Sequence, residues 1–194
     1  MFRLFHLPCL PRSLHIAEMK RLFASLVLAV LGVAFGADIS APTASSSPPV
    51  SYQVRNKKFA QLLRPEDASN ANGTRLVLYP AQPWKCMTWK FHPAGESAFQ
   101  LQNHFTSKTF EGETSEKPLQ AVTQVPFAKE SDKRPIWQFT KLADGTYKIA
   151  DAKSGKILTA TRDENGVRIM LDAWHDADEQ KWELLPIDPK LLTM

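Results

Sequence analysis

The stretch Trp137–Asp151 (WQFTKLADGTYKIAD) sets Trp137 and Phe139 before, and Tyr147 and Ile149 after, an Asp144-Gly145 pair. Apolar residues two apart lie on one face of a β-strand, whereas a helical face repeats every 3.6 residues. An Asp-Gly pair between two such runs supplies the backbone angles of a tight hairpin. The stretch therefore predicts two antiparallel strands, and its pieces recur along the chain. Tyr147, Ile149 and Asp151 match Phe99, Leu101 and Asn103, and Tyr52, Val54 and Asn56, at spacings of 48 and 47 residues. Trp137 with Phe139 matches Trp89 with Phe91 and Trp182 with Leu184, at spacings of 48 and 45. Seven residues past each Asn or Asp stands a third apolar anchor: Leu63, Phe110 and Leu158.

Three landmarks keeping one period over three copies define three units of about 45 residues. Asn72-Gly73, Ser154-Gly155 and Asn165-Gly166 add further hairpin signals, so each unit supplies about four short strands. Three such units are too few for a propeller and have the wrong pattern for a solenoid. Closing them around a pseudo-threefold axis removes open sheet edges and lets the repeated apolar residues share one core. The predicted fold is all-β, a β-trefoil of three repeats over residues 51–186, with Trp89, Trp137 and Trp182 as structural core. A two-sheet sandwich is the competing architecture, and it has no need of the threefold period.

The 194 residues are 43% apolar, 10% aromatic and 23% charged, with a net charge of +4. That composition excludes a collagenous repeat, a charged disordered tail and a disulfide-rich miniprotein. Lys20-Arg21 precede an uncharged run from Leu22 to Phe35, and Ala34 and Gly36 stand at minus three and minus one before Ala37. This is the plan of a secretory signal peptide over residues 1–36, and Met19, just before Lys20, offers a second start. The run falls short of the roughly 20 apolar residues that cross a bilayer, so cleavage near Ala37 is expected rather than a stable membrane anchor. The expected localisation is secreted, extracellular or periplasmic. Residues 37–50, rich in Ala, Ser, Thr and Pro, read as a solvated linker, and 187–194 as a short C-terminal tail.

The leader carries Arg3, Arg12, Lys20 and Arg21 with one acid, Glu18, so removing it leaves 20 basic and 19 acidic side chains. At +1, and with no basic run, nucleic acid is not an expected partner. Only Cys86 remains of the two cysteines, so no internal disulfide is expected, and Cys86 reads as a buried small apolar residue.

Tyr147 to Leu158 together with Gln180-Lys181-Trp182 resembles a repeat of the ricin B-chain type lectin domains, whose signature is Gln-x-Trp near each repeat's end. The resemblance spans residues 51–186. The third unit keeps the full motif, whereas Met87-Thr88-Trp89 and Pro135-Ile136-Trp137 have lost the glutamine. In such lectins a carboxylate takes sugar hydroxyls, an aromatic ring stacks on the apolar face of the sugar, and a polar residue near Gln-x-Trp completes the pocket. That chemistry suits a ligand with paired hydroxyls and a weakly apolar face.

Carried onto this sequence, the carboxylate position holds Arg64, Glu111 and Thr159 in the three units, so Glu111 alone matches. The aromatic position holds Tyr79, followed by Pro80 and with Trp84 nearby, in the first unit, and Asp172 in the third; Phe127 is the second unit's offering. The resemblance favours the third unit, where Asp172, Trp174, His175, Glu179 and Gln180 share one loop with Thr159 as a weaker hydroxyl. It implies a secreted module that binds glycans or polysaccharide through shallow repeat pockets.

The alternative is a protein-binding or inhibitor-type trefoil that has lost its sugar sites. An enzyme is not expected: His92, His104 and His175 form no metal-ligand spacing, and no Gly-rich phosphate loop or Gly-x-Ser-x-Gly occurs. Neither a metal nor another cofactor is expected, because Asp176, Asp178 and Glu179 lack the twelve-residue calcium-loop pattern. Asn72-Gly73-Thr74 fits the N-glycosylation pattern, which acts only on a eukaryotic secretory route.

Overall fold

A computed structural model describes residues 50–115, 117–128 and 134–193. The leader at 1–36, with Met19, and residues 37–49 of the linker lie outside the described residues. Twelve strands follow the three units. The first holds β1 (Ser51–Asn56), β2 (Leu62–Pro65), β3 (Leu76–Tyr79) and β4 (Thr88–Gly95). The second holds β5 (Ala98–Asn103), β6 (Thr109–Gly112), β7 (Gln120–Val125) and β8 (Trp137–Lys141). The third holds β9 (Tyr147–Asp151), β10 (Ile157–Asp163), β11 (Gly166–Asp172) and β12 (Trp182–Pro186). Among the described residues no helix is long and apolar enough to cross a membrane.

The pairing closes on itself. β1 pairs β4, β4 pairs β5, β5 pairs β8, β8 pairs β9, β9 pairs β12, and β12 returns to β1, all antiparallel. Six strands thus form a barrel without an open edge. The other six form three hairpins, β2–β3, β6–β7 and β10–β11. β11 pairs with both β3 and β7, and Arg75 bridges Thr123, so the hairpins gather into one cap. The fold is a β-trefoil.

The repeated landmarks are its core. Leu63, Phe110 and Leu158 are fully buried, as are Trp89, Trp137 and Trp182. Val54, Leu101 and Ile149 from the first strand of each unit join them in one cluster. Two residues beyond the tryptophans, Phe91 and Phe139 pack with Phe99 at ring separations of 5.3–5.6 Å. Such tilted and edge-on contacts suit the charge distribution of aromatic rings.

The recurring Asn and Asp turn the chain after each unit's first strand. Asn103 Oδ1 accepts from Phe105 N and Thr106 N, while its amide donates to Cys86 O in the unit before. Asn56 likewise accepts from Phe59 N and donates to Glu179 O. Asp151 accepts from the Ser154 backbone and hydroxyl but has no amide to donate.

Turns depart from expectation in two places. Asp144-Gly145 does link β8 to β9, with Gly145 at φ 84°. Asn72-Gly73, however, sits in the ten-residue connection 66–75, where Gly73 N donates to Gln124 O of β7. Gly73 there has φ 79°, in the left-handed region. In the β10–β11 hairpin Gly166 pairs with Asp163, so Glu164 and Asn165 make the turn. Segment 187–193, expected as a tail, is tied back: Thr193 N donates to Pro83 O and Lys85 N to Thr193 O.

Candidate functional site

Hairpin register fixes which residues correspond. Leu63, Phe110 and Leu158 face Leu78, Gln124 and Leu171, so the next residue outward is Arg64, Glu111 or Thr159. These three equivalent positions differ in exposure. Glu111 is exposed, whereas Arg64 and Thr159 are 8% and 5% exposed. The same register puts Tyr79, Val125 and Asp172 at one equivalent place, opposite Leu62, Thr109 and Ile157. Val125-Pro126, not Phe127, is therefore the counterpart of Tyr79-Pro80. Phe127 instead packs on the His92 ring at 4.8 Å.

In the third unit the structure separates the expected residues into two groups. Thr159 and Gln180 are buried and serve each other: the Gln180 amide donates to Thr159 Oγ1 at 3.1 Å and to Ala173 O at 2.6 Å. Gln180 Oε1 accepts from His175 N, and the Thr159 hydroxyl bonds Ile157 O. Their polar atoms are thus committed inside the domain, which removes Thr159 and Gln180 from an open sugar pocket. Asp172 and His175 meet on the surface, Oδ2 to Nε2 at 3.1 Å. Trp174 is half-buried with Lys148 Nζ 5.4 Å from its ring centre. The acidic run is matched by lysines: Glu179 pairs Lys58, Asp178 pairs Lys57, and Asp176 pairs Lys181.

In the first unit Tyr79 is exposed, but the Arg64 guanidinium lies 4.1 Å from its ring centre. One face of that platform is therefore taken by a cation–π contact. Burial pushes the Cys86 thiol above its ordinary pKa, and the neighbouring Arg64 charge opposes that rise.

Among the described residues, clefts open at two of the boundaries between units. The first, about 320 Å³, is lined by Arg64, Asp67, Ala68, Trp84, Cys86 and Phe105. The second, about 920 Å³, is lined by Glu111, Thr114, Ser115, Arg134 and Lys153 among others. Those five stand 47 or 48 residues after Arg64, Asp67, Ala68, Cys86 and Phe105, so the clefts are pseudo-symmetric copies whose central charge is reversed. At the third boundary the corresponding residues Glu179 and Lys58 join in an ion pair at 3.2 Å. Such boundary clefts escape sequence reading by unit, because each takes residues from two units.

No protein-family model matches the chain, and no curated relative does either. Solved structures do. The designed threefold-symmetric protein ThreeFoil superposes with a TM-score of 0.63 at 22% identity, over 71% of this chain and 99% of that one. An exo-β-1,3-galactanase from Clostridium thermocellum matches with a TM-score of 0.64 at 20% identity, over 71% of this chain but 30% of its own. The Macrolepiota procera ricin B-like lectin, solved with lactose, matches with a TM-score of 0.58 at 16% identity, over 72% of this chain and 97% of its own. This chain shares the β-trefoil architecture. Its structural neighbours include β-trefoil lectins.

Proposed function

We propose that this chain is a secreted carbohydrate-binding module that holds a glycan in the cleft between its second and third units. One observation carries the reading: of three equivalent positions, Glu111 alone presents an exposed carboxylate, and it does so on an open groove. Paired sugar hydroxyls donate to such an acceptor, while Arg134 and Lys153 along the same groove offer cationic donors. The lectin neighbours support the assignment through the fold alone. Binding of this kind needs no catalytic group, and the module is read as non-enzymatic. Retention on immobilised glycans, lost in Glu111→Gln, is the direct test.

Val125 favours a second reading. Where the first unit carries Tyr79, the Glu111 hairpin offers no ring for stacking. A trefoil that binds a protein through its connecting loops is consistent with that loss. Co-purification of a protein partner, with no glycan retained, supports it.

A further inference from the structure

The cleft between the first and second units has the buried cation Arg64 where its counterpart has the exposed carboxylate Glu111, although Arg134 in that counterpart also keeps a buried Nε without a partner among the described residues. Arg64 is 8% exposed, and its Nε has no hydrogen-bond partner among the described residues. A buried N–H of a guanidinium left without an acceptor is unfavourable, because that group loses water and gains no partner. The Tyr79 ring satisfies one face of the group but supplies no acceptor at its edge. Asp67, the one acid in the lining, is exposed and is not ion-paired with Arg64.

Trp84 and Phe105 add aromatic surface, and Phe105 is 48% exposed although it comes from the second unit. Asp67 and Ala68, on the cleft wall, are both held at φ 52°, a left-handed conformation costly for residues with a Cβ. A volume of about 320 Å³ lies at the lower end of the range for ligand pockets, enough for one ring rather than a chain of them.

We infer that this cleft binds the carboxylate of an acidic sugar, a uronic acid residue, with Arg64 as the cationic fork and Trp84 and Phe105 as apolar walls. A planar guanidinium matches a carboxylate through two parallel N–H···O bonds, a fit that a neutral sugar does not offer. The aromatic walls then take the weakly apolar face of the ring. The inference rests on the glycan reading of the domain but uses a different cleft, so the two fail separately.

The test is titration of the full chain with glucuronate, glucose and inorganic sulfate, followed by ligand-observed NMR. Glucuronate is expected to bind at least about 10-fold tighter than glucose, as expected for a charge-assisted bidentate pair. Arg64→Lys keeps the charge but loses the fork, and Phe105→Ala removes an exposed wall without touching the core; both are expected to weaken glucuronate.

Equal binding of glucose and glucuronate overturns the inference, as does glucuronate binding that neither Arg64→Lys nor Phe105→Ala alters. Sulfate binding as tightly as glucuronate reduces the cleft to a simple anion site and overturns the sugar assignment. Retention of neutral glycans without glucuronate binding overturns this inference alone. Glucuronate binding without any Glu111-dependent retention overturns the proposed function alone.

Discussion

The indole N–H of Trp182 donates to the Leu158 carbonyl at 2.9 Å, tying the last strand of the third unit to that unit's own buried anchor. Trp89 does the same to Leu63 at 3.1 Å. The equivalent Trp137 lies against the Phe110 ring at 4.8 Å, and its buried N–H has no partner among the described residues. Identical sequence landmarks therefore carry different energies. Trp182→Phe and Trp89→Phe are expected to lose about 1 kcal/mol more than Trp137→Phe, the net worth of one hydrogen bond, since all three remove similar apolar area. Urea unfolding of the three variants measures it, and equal losses would contradict the assignment.

Gln180→Glu tests the internal role of the Gln-x-Trp glutamine. Both amide hydrogens of Gln180 are used, on Thr159 and Ala173, and an ionised carboxylate there would be buried and acceptor-only. The expected cost is about 2–3 kcal/mol at neutral pH, easing as the solution is acidified and the carboxyl becomes a donor. A silent substitution would mean that the loop from Asp172 to Gln180 is held by other contacts.

Acid sensitivity follows from His104. Burial, with Lys90 and Lys85 adding to it, lowers its pKa from 6.5 to about 4, while Ser51 bonds its Nε2 at 2.8 Å. His92 is shifted in the same direction, mainly by burial. Between about pH 6.5 and 4 the unfolded chain takes up these protons and the folded chain resists them, so stability falls as pH is lowered through that window. His104→Asn is expected to flatten the loss, measured as Tm against pH. An unchanged slope would place the sensitivity elsewhere.

The barrel was legible from sequence because alternation reports directly which side chains face inward. Tyr52 with Val54, Phe99 with Leu101 and Tyr147 with Ile149 lie in β1, β5 and β9, and the tryptophans in β4, β8 and β12. The cap was less legible. Its hairpins owe their placement to contacts between units, such as Gly73 N on Gln124 O, which no local pattern encodes. The site divided in the same way. Glu111 followed from the lectin resemblance, carried onto the sequence by its offset from Asn103, whereas Val125 as the partner of Thr109 needed the register of β6 with β7. Gln180 and Thr159 have the chemistry of sugar ligands and spend it on each other. Composition alone gives no sign of that, since the same hydroxyl and amide serve either purpose.

The central claim is that Glu111 makes the second cleft a glycan site. Glu111 is exposed, so Glu111→Gln is expected to change stability by no more than about 0.5 kcal/mol. The decisive measurement is retention of the wild-type chain and Glu111→Gln on an immobilised-glycan array under identical conditions. The account predicts that the wild type is retained on at least one neutral glycan and that Glu111→Gln lowers that affinity at least about 10-fold, the loss of a charged acceptor. Wild-type retention that Glu111→Gln leaves intact, or no retention at all, would contradict it.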